Sequence, residues 1–399
     1  MRERILIACL VAGLGLALPV RGQKQTPPEG GTPKDFTLPE KSVFELDNGL
    51  SATLVPYGQL PKVAISVIVR TGNIDESANQ VWLADVMGDL LKEGTKLREL
   101  SITKASPESV TLELFRKLLY PGHPYGRLFP TEEMLKGYTI KDVRDFYARN
   151  FGAGRTRVYV CGRFEKPAVE QAILKSFEGW AKGPEPARKI PSPMAKRRVE
   201  IIDRPGSEQS TVYLGLPVVA PGHRDYIPLV VANSLLGGSF GSRITSNIRE
   251  QKGYTYSPYS SVSSRYRDAY WTQFASVSTN VTGPALKEII FEIDRLQAEA
   301  PSEEELRGIQ NYLAGTFVLQ NSSRSGIISQ LAFLDLHGLP DDYLTGYVKA
   351  IHSVKPEDVR RIAKTYLRDQ EMTLVITGDK SKIAEQVGEF EKAWEKGSD

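Results

Sequence analysis

Two segments of the chain share one order of apolar and polar positions. Residues 139–180 and 354–394 both begin with apolar residues spaced three or four positions apart, as on one face of a helix. A short continuous apolar run follows in each, and then the helical spacing returns. This order predicts a helix, a strand, a turn and a second helix in each segment. Equivalent positions mark the match, Asp142 with Asp358 and Gly162 with Gly378. An ungapped repeat of this length indicates duplicated domains and is too long for a solenoid unit.

The sequence ahead of each repeat is also alike in the two halves. Strand-rich sequence is predicted at 43–58, 62–72, 199–205 and 210–218. A helical pattern follows in each half, at 81–94 and at 225–238. Between the halves, residues 183–198 hold four prolines and are the natural linker.

These patterns predict an α+β protein of two duplicated domains, at 43–182 and 199–396. Each domain is expected to be a mixed or antiparallel sheet with helices packed on one face.

The two halves differ in length. From Val63 to Asp142 the chain runs 79 residues, and from Thr211 to Asp358 it runs 147, so the first half is about 68 residues short. The second half fills this span with a predicted strand pair and two helices, the later one opened by Ser302 and Glu305 as a capping box. We expect the shortening to leave a sheet face of the first domain exposed and to lower its stability.

The predicted helix at 81–95 has two aspartates in its apolar body, Asp85 and Asp89. Carboxylates four residues apart lie on one face of a helix and could act together. They could bind a hard cation such as Mg²⁺ or Ca²⁺, although two carboxylates are too few without further oxygen ligands. The alternative is a helix side that faces solvent or a chamber.

Composition places the chain among ordinary globular proteins. Its 399 residues suffice for two domains, and 51 basic and 48 acidic residues are interleaved to a formal charge of +3. No basic patch for nucleic acid is evident, so a polyanionic partner is not expected.

The N-terminus has the pattern of a secretory signal peptide at 1–22, followed by a flexible leader at 23–42 that is rich in Pro, Gly and Lys. The apolar run from Ile5 to Val20 is shorter than a membrane-spanning helix needs, which disfavours an anchor. We therefore expect export to the periplasm. Removal of the signal would leave Cys161 as the only thiol, so no intrachain disulfide is expected.

Four stretches together resemble the insulinase-type metallopeptidases, which include pitrilysin and the mitochondrial processing peptidase subunits. They are LDNGL, the helix that ends in EGT, LYPGHPYGR and LLGGSFGSRITSNIREQKGYTYS. The resemblance covers essentially the whole mature chain. It implies two similar α+β domains that often pair with another such subunit around a peptide-sized chamber.

Catalytic members of that family have an H-x-x-E-H helix, whose histidines bind Zn²⁺ and whose glutamate activates water. Aligning Gly94-Thr95 with the family's Gly-Thr places Asp85 and Asp89 at the histidine positions and Gly88 at the glutamate position. None of the three required side chains is present. The family's third zinc ligand, a glutamate, would fall in the missing span, so no metal is expected in this chain and zinc is expected in a partner subunit.

The second domain keeps another signature of the family, an arginine followed seven residues later by a tyrosine, here Arg249 and Tyr256. The resemblance implies that this pair reaches the substrate, and both groups are donors that can hold a carbonyl or an oxyanion. Tyr254 is the nearest competitor for the tyrosine role. Without the resemblance, Arg249 and Tyr256 would be a surface helix residue and a strand residue.

Glycines follow the helix at 225–238. The resemblance implies a flexible chamber loop at Gly237, Gly238 and Gly241, and the alternative is a helix end closed by the first two. A phosphate loop is disfavoured because the Lys-Ser/Thr ending is lacking. His123, between Pro121 and Pro124, is expected in an ordered turn rather than as a catalytic base.

The sequence thus predicts a non-catalytic subunit of a heteromeric zinc peptidase, inactive alone, that binds a zinc-bearing catalytic paralogue and a peptide substrate. In this hypothesis Arg249 and Tyr256 complete a composite site. Two alternatives stay open. The chain could be a purely structural or peptide-binding subunit, or an internally deleted and poorly functional family member.

Overall fold

A computed structural model describes residues 36–89, 96–186 and 189–396. The predicted signal peptide, most of the leader and Gly94-Thr95 lie outside the described residues. Within the described ranges, no helix combines the length and the apolar character needed to cross a membrane.

The first half forms four strands, β1 (Ser42–Glu45), β2 (Ser51–Pro56), β3 (Val63–Val69) and β4 (Thr156–Gly162). Its helices are α1 (Leu83–Asp89), α2 (Lys96–Ala105), α3 (Pro107–Leu119), α4 (Glu132–Gly137), α5 (Ile140–Asn150) and α6 (Lys166–Phe177). The described linker residues from 181 to 197 lie in neither helix nor strand.

The second half forms β5 (Arg198–Asp203), β6 (Gln209–Val218), β7 (Tyr259–Arg265), β8 (Asp268–Ser278) and β9 (Thr373–Gly378). Its α-helices are α7 (Tyr226–Asn233), α8 (Thr282–Ala298), α9 (Glu303–Gln320), α10 (Arg324–His337), α11 (Asp342–Thr345), α12 (Tyr347–Ser353), α13 (Pro356–Tyr366) and α14 (Lys380–Lys396). Two π-helices, Ser234–Gly238 and Thr245–Gln251, lie between α7 and β7.

The strands form two mixed sheets. Sheet A has the order β1-β2-β4-β3, and sheet B has the order β5-β9-β6-β8-β7. In both, a parallel pair (β2 with β4, β5 with β9) is followed by an antiparallel neighbour (β3 or β6). The predicted α+β class and the duplicated order of elements are confirmed.

The aspartate that recurs in both repeats, Asp142 and Asp358, has the same structural role in each. The Asp142 carboxylate accepts the backbone N–H of Thr139 at 2.9 Å, and the Asp358 carboxylate accepts that of Lys355 at 3.0 Å. Each aspartate therefore closes the first turn of its helix, α5 or α13, by satisfying a donor that the helix leaves unpaired.

The glycine that ends β4 is also required by geometry. A Cβ added at Gly162 would lie 2.2 Å from the carbonyl oxygen of Lys62, and its φ of +148° disfavours other residues. Strand β3 can therefore begin close beside the end of β4.

Each sheet is contacted by a helix of the other half. Helix α3 lies in the first half, yet Phe115 and Leu119 pack on sheet B against Tyr213 and Tyr270. Thr111 and Thr377 join α3 to β9 through a 2.6 Å hydrogen bond between their hydroxyl groups. Helices were expected on one face of each sheet. The helices that belong to the same half do lie on one face of sheet B, and α3 from the other half covers the opposite face.

Helix α10 makes the reciprocal contact on sheet A. Its Ile327 and Leu331 pack against Val55, Tyr159 and Cys161, which point away from the side that α6 covers. Burial raises the pKa of the Cys161 thiol to about 11, as expected for a cysteine that serves as a small apolar side chain. The exchange ties the two halves into one packed unit.

One face of sheet A is incompletely covered at strand β3. Val63, Ile65 and Val67 project from one side of this strand and are 43%, 67% and 47% exposed. Strand β6, at the corresponding place in sheet B, pairs with β8, whereas no described strand pairs with the outer edge of β3. The exposed sheet face expected from the shortened first half is present.

The predicted capping box of α9 forms only in part. Ser302 Oγ accepts the backbone N–H of Glu305 at 3.1 Å. The Glu305 carboxylate does not return to the backbone, because the guanidinium of Arg243 holds both of its oxygens at 2.7 and 2.8 Å. A bidentate, charge-assisted pair is stronger than a bond to a backbone amide.

Candidate functional site

Helix α1 is held in place by a buried glutamate. The carboxylate of Glu76, 2% exposed, accepts the backbone N–H groups of Trp82 and Ala84 at 3.0 and 2.8 Å. Burial raises the pKa of Glu76, and the two amides act against that rise. Trp82 adopts a positive φ of 68°, unusual for a tryptophan, and its ring nitrogen donates to the carbonyl of Leu128 at 2.7 Å. These hydrogen bonds fix the position of the first turn of α1.

The three positions of the zinc motif lie on α1 and have other partners. Asn73 donates to the exposed Asp85 carboxylate at 3.1 Å. Asp89 forms an ion pair with Lys96, whose ammonium lies 5.5 Å from the Trp82 ring centre. Gly88 contributes no side chain, and an added Cβ there would meet nothing within 4 Å.

These residues do not fit a peptidase zinc ion. Tetrahedral zinc in such enzymes takes two imidazoles and a carboxylate from the protein and keeps one open position. Among the described residues, no three or more His, Cys, Asp and Glu side chains cluster as a metal site would require. Asp85 and Asp89 therefore also find no further carboxylate ligands there for a hard cation.

Arg249 and Tyr256 do lie together. The Arg249 guanidinium carbon is 5.0 Å from the centre of the Tyr256 ring and 4.4 Å from the centre of the Phe240 ring. Both rings are largely exposed, at 79% and 71%. Arg249 Nε also lies 3.2 Å from a carboxylate oxygen of Glu250. A cation in contact with two aromatic rings is restricted in its rotamers, and the Arg249 side chain keeps 23% of its surface exposed.

The backbone around Arg249 is unusual and firmly anchored. Arg249 lies in the π-helix Thr245–Gln251, and such segments occur frequently at functional sites. Asn247 donates to Glu288 and Glu292 of α8 at 2.9 Å each. Lys252 pairs with Glu288 at 3.1 Å. These bonds fix the segment to the helical layer of the second half.

The three glycines of the expected chamber loop differ from one another. A Cβ at Gly237 would lie 2.6 Å from Ser260 Oγ, and one at Gly238 would lie 2.5 Å from the side-chain nitrogen of Asn233. Gly241 has open space around it. The first π-helix ends at Gly238, so Gly237 and Gly238 serve close packing, and only Gly241 is free on the protein surface.

Two other residues from the sequence have structural surroundings. Tyr254 is partly buried against the main core of the second half, which makes it the less accessible of the two tyrosines. His123 Nδ1 accepts the backbone N–H of Tyr125 at 3.2 Å at the start of the short 3₁₀ turn Pro124–Gly126. Burial lowers the pKa of His123.

Sequence reasoning missed Phe240 and Asn247. Phe240 is a large apolar residue in a segment of small residues, Gly237 to Ser242, and this isolated aromatic residue was the one available signal. Asn247 gave no such signal, because its partners lie more than 40 residues away on α8.

Two duplicated sheets with exchanged helices define an α+β protein, and Arg249 lies against two aromatic rings at the end of its second π-helix. A sequence model described as peptidase M16 inactive domain matches residues 137–313. A crystal structure of a peptidase M16 inactive domain from Pseudomonas fluorescens superimposes with a TM-score of 0.77 at 19% identity, covering 85% of this chain and 98% of that one.

Several curated proteins are similar in sequence. An uncharacterized zinc protease of Streptomyces coelicolor, SCO5738, is 25% identical over 74% of this chain and 66% of its own length. The zinc protease PqqE of Helicobacter pylori is 26% identical over 76% of this chain and 71% of its own length. A non-peptidase homolog, YmxG of the same species, is 22% identical over 63% of this chain and 58% of its own length.

The chain is thus similar to the peptidase M16 inactive domain over residues 137–313, and over about three quarters of its length to proteins named as zinc proteases. Its relatives include proteins named as zinc proteases and one named as a non-peptidase. Similarity to these proteins therefore does not show whether this chain is a peptidase.

Proposed function

We propose that this chain is the non-catalytic subunit of a heteromeric zinc peptidase, which supplies Arg249 and Tyr256 to a peptide site completed by a zinc-bearing paralogue. The single observation that supports this most is the contact of the partly exposed Arg249 with the exposed rings of Phe240 and Tyr256, in a protein whose sequence has no H-x-x-E-H. The predicted signal peptide makes the periplasm the proposed location.

The chemistry of the two groups suits a peptide bond. A guanidinium and a phenol are both hydrogen-bond donors, and together they can hold a substrate carbonyl oxygen and stabilise the negative charge that develops on it. The aromatic contacts hold the guanidinium before substrate arrives, which lowers the entropic cost of orienting it. The paralogue would supply the zinc and the general base.

The uncovered part of sheet A supports an interaction with another protein. Strand β3 presents an apolar row, and no described strand pairs with its outer edge. Its seven residues include no charge that would protect the edge. Exposed apolar rows of this kind commonly mark interfaces.

The proposal is tested by substituting the pair in a reconstituted heterocomplex. Tyr256→Phe and Arg249→Gln should each reduce kcat/KM for a peptide by about tenfold or more, since removing one oxyanion donor typically costs a factor of about 10²–10³. Tyr312→Phe and Arg307→Gln are matched controls, because both wild-type residues are exposed on α9, and they should leave the rate unchanged.

The competing hypothesis of a purely structural or peptide-binding subunit predicts a different result. Full activity of the Arg249→Gln/Tyr256→Phe double variant in a complex that still assembles would overturn the catalytic role. Failure to bind any zinc-bearing paralogue would instead favour an internally deleted, poorly functional chain.

A further inference from the structure

A cleft of about 650 Å³ lies between the end of β3, the 3₁₀ turns at Asn73–Asp75 and Pro124–Gly126, and the turn that joins β7 to β8. Neither Arg249 nor Tyr256 lines it. Six charged side chains do, and four of them are guanidinium groups. The six are Arg70, Arg116, Arg127, Arg265, Asp75 and Asp85.

The two aspartates of the cleft have other partners. Asp75 lies 3.5 Å from the guanidinium of Arg155, and both side chains are nearly completely buried. Asp85 accepts its bond from Asn73. Elsewhere in the protein, the buried guanidinium of Arg243 is matched by Glu305. Within the described ranges, no carboxylate lies at ion-pair distance from any of the four cleft arginines.

Carboxylates slightly further away are also engaged. Glu76 accepts the amides of α1, and Asp335 accepts the hydroxyl of Tyr159. Of the four cleft arginines, Arg127 donates to the backbone carbonyl of Glu76 at 3.2 Å. Arg265 donates to the Tyr270 hydroxyl at 3.1 Å. The lining itself has a net positive charge, because it contains four arginines and two aspartates. Outside the lining, the carboxylates of Asp335, Glu76 and Asp268 act on Arg70, Arg127 and Arg265 without forming ion pairs.

Arg116 and Arg265 show the imbalance most clearly. The Nε atoms of both are buried and have no hydrogen-bond partner among the described residues. Desolvation lowers the pKa of Arg116, and the neighbouring charge of Arg265 lowers it further. Both guanidiniums line the cleft, and neighbouring guanidiniums without a carboxylate partner favour an anion with two acceptor oxygens.

The rest of the lining is apolar. Ile68, Ile74 and Leu128 line the cleft together with the rings of Trp82 and Tyr125. A volume near 650 Å³ exceeds the needs of an inorganic ion and lies in the range of pockets for small organic ligands. The expected ligand thus combines a planar anionic end with an apolar body.

We propose that the cleft binds the C-terminal carboxylate of a short apolar peptide, with Arg116 and Arg265 on the carboxylate and Trp82 beside the last side chain. The choice of a peptide rests on the proposed function. The preference for an anion rests on the arginines alone. Arginine suits this task because its planar fork matches a carboxylate in two parallel hydrogen bonds.

The test measures binding to the purified full chain by calorimetry. Probes are a tripeptide Ala-Leu-Phe with a free carboxylate, the same tripeptide as its C-terminal amide, and inorganic phosphate. We expect the free acid to bind at least tenfold more tightly than the amide. Phosphate should bind at least tenfold more weakly than the acid. Quenching of Trp82 fluorescence by the acid, lost in Trp82→Phe, would locate the peptide.

Variants connect the binding to the cleft. Arg265→Gln and Arg116→Gln should each weaken the acid at least tenfold, and Arg265→Lys should also weaken it because an ammonium lacks the fork. Arg307→Gln is the matched surface control. Unfolding curves identify any variant that fails to fold, and Arg116→Lys or Arg265→Lys, which keeps the charge and most of the volume, then replaces it with the same expected direction of loss.

Each result decides the inference. Equal binding of acid and amide, or unchanged binding in the folded arginine variants, would overturn it, and phosphate bound as tightly as the acid would overturn the peptide assignment. Arg249→Gln separates the two proposals. Loss of heterocomplex activity with unchanged tripeptide binding would support both, whereas unchanged activity would refute only the proposed function.

Discussion

Phe115 provides a direct test of the helix exchange between the halves. It belongs to α3 in the first half, is 0% exposed, and packs on sheet B with its ring centre 6.1 Å from that of Tyr213 and 6.0 Å from that of Tyr270. A Cβ added at Gly215 of β6 would lie only 3.1 Å from the Phe115 ring, which shows how closely the helix approaches the sheet.

Phe115→Ala should lower the free energy of unfolding by about 3–5 kcal/mol, the usual cost of removing a fully buried phenylalanine ring. Such a loss is a large part of the total stability of a typical domain, about 5–15 kcal/mol. Because the ring joins a helix of the first half to sheet B, the loss should appear in the unfolding of both halves together.

Urea denaturation measured by tryptophan fluorescence tests this, since Trp271 is fully buried in sheet B. Phe291→Ala on α8 is the control, because Phe291 is 52% exposed and its removal should cost less than about 1 kcal/mol. We expect one cooperative transition for both halves, shifted to lower urea by Phe115→Ala. A loss below about 1 kcal/mol, or a separate early transition with Trp271 unaffected, would refute the exchange as a stabilising contact.

Three further predictions concern single residues. Gly237→Ala should lower the thermal midpoint because its Cβ would lie 2.6 Å from Ser260 Oγ, whereas Gly241→Ala should not; equal midpoints would contradict the assigned packing. Burial raises the pKa of Asp268 to about 6, above its unfolded value of about 4, so the native state binds more protons and stability should fall as pH rises through this window. Asp268→Asn should reduce that slope in urea titrations at several pH values, and an unchanged slope would show that Asp268 does not titrate there. Ile65→Lys, at a 67% exposed position, should change stability by less than about 0.5 kcal/mol while weakening binding of the zinc-bearing paralogue in calorimetry; unaltered binding would exclude the β3 face from that interface.

Much of the fold was predictable because its signals are local. Asp142 and Asp358 cap helices through residues three positions away, and the strands next to them are short apolar runs. The exposed face of β3 was also predictable, because the first half of the chain is about 68 residues shorter than the second between equivalent positions. Such features need no knowledge of distant contacts.

The remaining features depend on residues far apart in the sequence. The apolar stripe of α3, with Thr111, Phe115 and Leu119, has the same pattern whichever sheet it packs on. The partner of Glu305 could not be known, because Arg243 lies 62 residues earlier. The cleft arginines lie at positions 70, 116, 127 and 265, so no local sequence motif could predict that they line one cleft.

The site itself was partly predictable. Arg249 and Tyr256 followed from the resemblance, and the structure places them side by side, although their role stays a prediction. The zinc-motif positions were identified from sequence spacing, and the structure adds the partners of Asp85 and Asp89. The flexible loop was predicted from three glycines, two of which are closely packed.

The most direct test of the central claim is the zinc content and peptidase activity of the purified chain, alone and after mixing with an H-x-x-E-H paralogue from the same source. We predict no bound zinc and no activity for the chain alone, and chelator-sensitive activity in the mixture that exceeds that of the paralogue alone. Stoichiometric zinc and peptide cleavage by the isolated chain would contradict it, because catalysis would then use ligands other than Asp85 and Asp89.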